Sequence, residues 1–249
     1  MSACLLALAM GGTASAQADP IKIAQDAQKP ENISTTIEIA CFLTILSLAP
    51  ALLVMGTSFT RIIIVLSFVR RAIGTQDLPP TQVLTGLALI LTFMVMTPTF
   101  SAIKRDAIDP YTSSVKAQQI AQPEAFRRAV GHLRDFMFKQ VRVQDLKLFM
   151  DITRHPPRKD GKGWMEEDIP TEVLVPSFVI SELRRAFIMG FALFLPFMVI
   201  DLVVSATLIS MSMMVLPPFF ISLPFKILLF VLVDGWHLVI GSLVQSFYG

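Results

Sequence analysis

The sequence predicts an all-α membrane protein in which two long, kinked apolar helical hairpins are joined by a smaller polar helical module. The mean hydropathy is +0.63 and only 16% of the 249 residues are charged, against about 25% in ordinary soluble domains. Of the 40 charged residues, 24 lie between Lys104 and Glu172, so one polar module interrupts an apolar chain. A net charge of +2 gives no indication of nucleic acid as a partner.

Residues 1–16 have the pattern of a secretory signal peptide. An apolar stretch from Ala3 to Met10 leads into small residues, and Ala14-Ser15-Ala16 fits a cleavage site. No Lys or Arg precedes the apolar stretch, so an uncleaved N-terminus is the alternative. Residues 17–36 are then expected to form an N-terminal tail.

The first apolar hairpin is predicted over residues 37–103. Its first helix contains 22 uncharged residues, Ile39–Thr60, which give about 33 Å of helix and so enough to span a membrane. The apolar run continues to Arg70-Arg71, and Pro79-Pro80 then mark a turn because proline disfavours helix continuation. The charge-free stretch Leu78–Ile103 provides the second helix.

The polar module is predicted over residues 104–175. Asp109-Pro110 has the pattern of a helix start. Four apolar side chains at helical spacing predict an amphipathic helix that packs against another element: Phe126, Val130, Leu133 and Met137. Three more predict a second short helix: Leu146, Phe149 and Met150. The Pro, Gly and charge content of residues 154–170 predicts a loop.

The second apolar hairpin is predicted over residues 176–249. Its turn is Pro217-Pro218, and a further span carrying Asp234 and His237 is expected after Lys226. Each hairpin has a Leu-Pro-Pro turn, which suggests an internal repeat of the kind found in transport proteins.

The membrane orientation follows from the signal peptide. Cleavage would leave the N-terminus outside, Arg70-Arg71 inside and the polar module outside. Arg70-Arg71 then agree with the positive-inside rule, whereas Arg184-Arg185 disagree with it.

The sequence contains no pattern typical of a catalytic or metal site. HExxH, GxSxG, phosphate-binding loop and paired-cysteine motifs are absent. His132 and His155 lie in the polar module and are expected at its surface or in its loop. We therefore expect no enzyme activity, no cofactor and no metal.

Charged side chains within apolar segments need partners. Inserting one at the centre of a membrane helix costs roughly 2.5–3.5 kcal/mol. Glu182, Asp201, Lys226 and Asp234 are such residues. One interpretation is ion pairing within the bundle, for example between Glu182 and Arg185, three residues apart. The other is that they face a neighbouring subunit or an aqueous lumen, which we favour for Asp201 and Lys226. For Asp234 with His237, a packing role is favoured over a proton relay.

Two long segments carry a resemblance to a known family. Residues 61–98 read RIIIVLSFVRRAIGTQDLPPTQVLTGLALILTFMVMTP, and residues 176–247 begin PSFVISELRRAFIMGFALFLPFMVIDLVVSATLISMSMMVLPPF. In sequence, order and spacing they resemble the FliP family, membrane subunits of the flagellar type III export gate. The equivalent subunit of a virulence injectisome and, from the residues alone, an ion-coupled transporter are the alternatives.

The resemblance implies an assembly in the bacterial inner membrane, within the flagellar basal body and raised toward the periplasmic side. About five copies of the chain would form a ring with FliR-like and FliQ-like subunits, next to FlhB-like and FlhA-like export components. Unfolded flagellar proteins would pass through the centre of this ring.

The resemblance also implies a role for residues 213–215, just before the second proline turn. The family places a ring of methionines there, at the narrowest point of the channel, which corresponds to Met213, Met214 and Val215. Flexible thioether side chains close on one another and reshape around a moving chain. Val215 departs from the family pattern, and core packing is the alternative role for the two methionines.

Overall fold

The structure is a computed structural model that describes residues 40, 43–44, 46–48, 50–51, 53–75, 78–113, 119–154, 164, 166–213 and 216–248. The chain divides into two compact units, Met1–Pro50 and Ala51–Gly249. In the first unit, the described positions between Ala40 and Pro50 are helical. In the second, the described residues are mostly α-helical and none lies in a strand, which confirms the all-helical class. The predicted signal peptide lies outside the described residues.

The helices of the second unit follow one another with short connections. They are α1 (Phe59–Ile73), α2 (Thr81–Ile103), α3 (Asp109–Thr112), α4 (Gln122–Gln140), α5 (Val143–Ile152), α6 (Thr171–Ser210), α7 (Pro218–Leu232) and α8 (Gly235–Tyr248). A π-helical turn, Lys104–Ile108, joins α2 to α3, and a single 3₁₀ turn, Glu166–Asp168, precedes α6. The two predicted proline turns therefore separate α1 from α2 and α6 from α7.

Helix α3 begins at the predicted position, Asp109, with Pro110 in its first turn, but it follows α2 and the π-helical turn without a break, in one helical run Thr81–Thr112. Pro110 lacks the N–H that would bond the carbonyl of Asp106 in a regular helix. Arg128 of α4 replaces that donor, with Nη1 3.3 Å from the Asp106 carbonyl oxygen. The helix therefore enters the polar module instead of ending before it.

The core forms where α1 packs against the first half of α6. Four side chains of α1 at helical spacing are at most 1% exposed: Ile62, Val65, Leu66 and Val69. At Gly190 of α6, an added Cβ would lie 2.6 Å from the ring of Phe68. Glycine at this position therefore permits the close approach of the two helices.

Helices α4 and α5 cover the same half of α6. The rings of Phe136 and Phe178 meet edge to face with centroids 6.0 Å apart, and Met137 is buried. The predicted amphipathic stripe divides in the structure, because Met137 packs into the core whereas Phe126 is 72% exposed. Helix α5 forms where the second short helix was predicted.

Two helical runs in the described part of the chain are long and apolar enough to cross a membrane. They are Thr81–Thr112 and Thr171–Ser210. Counting α7 and α8 together as one broken span gives a third. The predicted first span, Ile39–Thr60, falls partly outside the described residues.

The span predicted after Lys226 is bent in the structure, because α7 and α8 meet at an angle of 63°. Asp234 occupies the break with φ of 49°, a conformation that Asp adopts more readily than most residues. An added Cβ at Gly235 would lie 2.3 Å from the ring of Phe230. The bend thus depends on a glycine that lets the backbone contact this ring.

Candidate functional site

The backbone just before the second proline turn has a defined geometry. Helix α6 ends with Ser212 in the left-handed conformation at φ 60°. The amide of Ser212 donates to the carbonyl of Ile209, and the amide of Met213 to that of Leu208, both at 3.0 Å. This pair of bonds is the Schellman motif, which usually has glycine at the left-handed position. It satisfies two terminal carbonyls and fixes the direction in which the chain leaves α6.

The predicted constriction lies in this turn, and the structure describes one of its three residues. Met213 is 41% exposed and the preceding Met211 is 62% exposed, so neither is a core methionine within the chain. Met214 and Val215 lie outside the described residues. Pro217 is the N-cap of α7 and Pro218 its first residue. In the first hairpin, Pro79 and Pro80 occupy the equivalent turn before α2.

An ion pair joins α6 to α7 behind the turn. Lys226 Nζ lies 2.6 Å from Asp201 Oδ2, and the hydroxyl of Ser222 donates to Asp201 Oδ1 at 2.6 Å. The Lys226 side chain is 4% exposed and that of Asp201 40%. Of the two interpretations of these charges, the structure shows pairing within the bundle, and one side of Asp201 remains open.

A second and fully buried ion pair joins α1 to α6. Arg61 donates Nε to Glu182 Oε2 at 2.8 Å and Nη2 to Glu182 Oε1, and both side chains are 0% exposed. Arg185 is not the partner of Glu182 and donates instead to Gln140 Oε1 at 2.7 Å. The predicted ion pair between Glu182 and Arg185 is therefore wrong, and the carboxylate of Glu182 is buried within its own chain.

The buried guanidinium of Arg61 also reaches α4 and α8. It donates to Gln140 Oε1 and to the carbonyl and hydroxyl oxygens of Ser246, each at 2.9 Å. Its carbon lies 3.8 Å from the centre of the Phe247 ring, and Gln140 Nε2 donates to the carbonyl of Phe247 at 3.1 Å. One side chain therefore ties four helices together.

Sequence reasoning missed this network. Arg61 is the single charge between two apolar runs, 39–60 and 62–69, and a lone charge in such a place requires a partner. That signal identifies Arg61 as a buried residue, but it does not identify Glu182, which is 121 positions away.

The charges of Asp234 and His237 lie at the surface. Their side chains are 78% and 79% exposed, and His237 Nδ1 is 3.8 Å from Asp234 Oδ2. Asp234 precedes the first turn of α8, where a negative charge is favoured by the helix dipole. Within the described ranges, no three His, Cys, Asp or Glu side chains come together as a metal site.

Comparison with known proteins assigns the chain to a family. The sequence model of the FliP family matches residues 42–243. The flagellar biosynthetic protein FliP of Bacillus subtilis (strain 168) is 51% identical over 218 residues, 88% of this chain and 95% of the relative. The FliP protein of Aquifex aeolicus (strain VF5) is 46% identical over 216 residues, 87% of each chain. That of Rhizobium meliloti (strain 1021) is 43% identical over 240 residues, 96% and 95% of the two chains. This chain therefore belongs to the FliP family.

Proposed function

We propose that this chain acts in flagellar biosynthesis as a pore-forming subunit of the type III protein export gate. Membership of the FliP family supports the flagellar role, since its relatives are named flagellar biosynthetic proteins. In this proposal, unfolded flagellar proteins cross the bacterial inner membrane through a ring of such subunits. The signal peptide at residues 1–16 and the placement of the polar module on the periplasmic side belong to the same proposal.

The observation that carries the pore proposal is the position of Met213. It lies at the tip of the α6–α7 hairpin, outside the core of its own chain, where the Schellman turn fixes the backbone on its N-terminal side. A flexible thioether side chain held by a fixed backbone suits a seal that must yield to a passing polypeptide. Apolar tips also oppose wetting, which limits ion leakage. We assign this sealing role to Met213, Met214 and Val215.

The apolar surface of the same hairpin supports assembly with other chains. Large side chains that are more than half exposed continue along α6 and α7: Phe191, Val199, Leu202, Val203, Ile209, Phe220, Phe225, Leu228, Val231 and Leu232. Apolar patches of this extent mark protein or membrane contacts. We assign them to further copies of the chain, to FliR-like and FliQ-like subunits and to lipid, with FlhB-like and FlhA-like components as further partners.

The proposal also assigns contacts to the charged residues Asp201, Asp234 and Glu182. Asp201 keeps 40% of its side chain exposed after pairing with Lys226, so one carboxylate edge is open to a lumen or to a neighbouring copy. Exposed Asp234 is open to the same kinds of contact. Glu182, by contrast, is enclosed by its own chain, and we assign it a role in holding α1 against α6.

The test of the seal is ion leakage through assembled gates. We expect the double variant Met213→Ala, Met214→Ala to assemble and to let small ions cross the inner membrane, because shorter side chains open a gap. Export should continue at least in part. Leucine at both positions should restore the seal but impair passage, since its branched side chain adapts less well.

The matched control is Met94→Ala on α2, because Met94 is also exposed, at 48%, but lies far from the turn in sequence. It should assemble and not leak. Loss of assembly without leakage in the double variant would show that the two methionines are packing residues and would contradict the sealing role.

A further inference from the structure

A cleft with two arginines lies where three helices meet at the first proline turn. It encloses about 490 Å³ and is lined by Ser67, Arg70, Arg71, Gly74, Thr75, Thr81 and Phe219. Arg70 and Arg71 belong to the last turn of α1, and Thr81 and Phe219 to the first turns of α2 and α7. A volume of this size falls within the range of ligand sites, about 300–1,000 Å³.

The hydrogen bonds of the residues that line the cleft show which donors remain for a ligand. The hydroxyls of Ser67 and Thr75 already donate to the carbonyls of Ile63 and Leu78. Thr81 Oγ1 accepts from Arg70 Nη1 at 2.8 Å and keeps its own proton for another acceptor.

Arg71 is the main source of unused donors. Its side chain is exposed, with the guanidinium carbon 5.8 Å from the centre of the Phe68 ring. Within the described residues the guanidinium makes no hydrogen bond or ion pair, and so it offers a fork of donors suited to phosphate oxygens.

Among the described residues that line the cleft, the charged side chains are both arginines. The neighbouring Lys226 ammonium is paired with Asp201, so the unpaired cation among the described lining residues is Arg71. The first turns of α2 and α7 add the positive ends of two helix dipoles. Arginines at the end of α1 also complement the dipole of that helix, and this purely structural role is the alternative that an experiment must exclude.

The position of the cleft favours a lipid as the source of the phosphate. Two candidate spans, Thr81–Thr112 and the broken α7–α8 pair, begin at the cleft, which places it at the level where apolar segments meet water. Leu78 and Phe220 beside it are 65% and 69% exposed. The orientation expected from the signal peptide puts Arg70 and Arg71 on the cytoplasmic side, where basic pockets between spans bind anionic headgroups.

We propose that this cleft binds a phosphate group, supplied by the headgroup of an anionic lipid, with Arg71 and the Thr81 hydroxyl as its donors and Arg70 as a second positive charge beside them. The proposal does not depend on the export pore, because lipid retention requires no transport. A failed leakage assay at Met213 would therefore leave it unchanged.

The experiment measures lipid bound to the full-length chain in mixed micelles by native mass spectrometry. The probes are phosphatidylglycerol, neutral-headed phosphatidylcholine and inorganic phosphate. We expect saturable retention of phosphatidylglycerol. The variant Arg70→Gln, Arg71→Gln should weaken it about 25-fold, on the basis of about fivefold for each arginine near a membrane surface. Arg71→Lys should retain part of the affinity, because the charge remains but the fork is lost.

The matched control is Arg127→Gln, Arg128→Gln, an adjacent pair on α4 that binds Glu124; it should leave retention unchanged. Arg71→Gln alone changes one exposed side chain, and its fivefold loss tests the proposal if the double variant fails to fold. Equal retention by Arg71→Gln and the parent would overturn the site. If inorganic phosphate displaces the lipid fully and phosphatidylglycerol binds no better than phosphatidylcholine, the lipid source is overturned.

Discussion

The two halves of α6 differ in what surrounds them, although they form one continuous helix. In residues 171–190, eight residues are buried, including Ser177, Ser181 and Glu182. In residues 191–210, only Phe197 and Leu208 are buried. The half that contains most of the charged residues is thus largely enclosed by its own chain, whereas the more uniformly apolar half is largely uncovered.

This difference shows that hydropathy alone does not indicate where the core of the chain lies. In the first half, the polar groups are buried because other elements supply partners: Ser181 donates to Asp145 at 2.7 Å, and Glu182 binds Arg61. In the second half, apolar side chains face outward, which is stable only against lipid or another protein. We infer that the first half organises the subunit and the second serves the assembly.

Breaking the buried ion pair should give the largest effect. Arg61→Met leaves the carboxylate of Glu182 buried without a cation, and removing one partner of such a pair costs about 3–5 kcal/mol. We expect this loss in the free energy of unfolding of the purified chain in detergent, measured by chemical denaturation.

The double variant Arg61→Met, Glu182→Leu is the control, because it removes both charges and should recover part of the stability. Arg127→Met changes an arginine whose side chain is 79% exposed and should have little effect. If Arg61→Met destabilises the chain no more than Arg127→Met, the network does not hold the four helices together.

Overpacking at Gly190, in the first half of α6, should have the next largest effect on stability. Gly190→Ala places a methyl group 2.6 Å from the ring of Phe68, and overpacking of this kind costs about 1–3 kcal/mol. The measurement is again the free energy of unfolding. Gly86→Ala and Gly241→Ala are matched controls, because an added Cβ there meets nothing within 4 Å. Both should be neutral or stabilising, since alanine favours helix. Equal effects at all three glycines would contradict the close approach of α1 and α6.

Local signals in the sequence predict most of the secondary structure. Helical spacing of apolar residues located α4 and α5, and the two Pro-Pro pairs located the turns. These signals act over a few residues, so no knowledge of the fold is needed. The family resemblance added Met213 to the candidate site, which spacing alone would have assigned to core packing.

The remaining features depend on contacts between distant parts of the chain. The helical run from α2 to α3 passes Pro110, and Arg128 of α4 donates to the Asp106 carbonyl from 22 positions away. The bend at Asp234 requires the contact between Gly235 and Phe230. The partner of Arg61 lies 121 positions away, and no local pattern identifies it. Long-range polar partners are thus the part of this fold that sequence periodicity does not predict.

A polar change in the uncovered half of α6 should affect assembly more than the subunit itself. Leu202 is 65% exposed, and surface substitutions usually change stability by no more than about 0.5 kcal/mol. We expect Leu202→Ser to leave unfolding of the isolated chain almost unchanged and to reduce the amount of ring on native gels. Ser210→Ala, an exposed change at the end of the same helix, is the control. A Leu202→Ser subunit that unfolds much more readily would mean that this half supports its own chain.

The smallest effect is expected on the surface of the polar module, at Glu124 of α4. A hydrogen bond from Arg128 and then the nearby charge of Arg127 hold the pKa of the Glu124 carboxyl below its ordinary value of 4.5. A lowered pKa in the folded state means that the contribution to stability is complete above pH 4.5 and is lost as the pH falls through the lower, folded value. The parent should therefore unfold at a slightly higher temperature than Glu124→Gln at neutral pH, and the two should converge in acid. Because the group is exposed, salt at about 1 M should also remove the difference. If the gap between the two proteins stays constant from neutral to acid pH, the carboxylate charge is not its source.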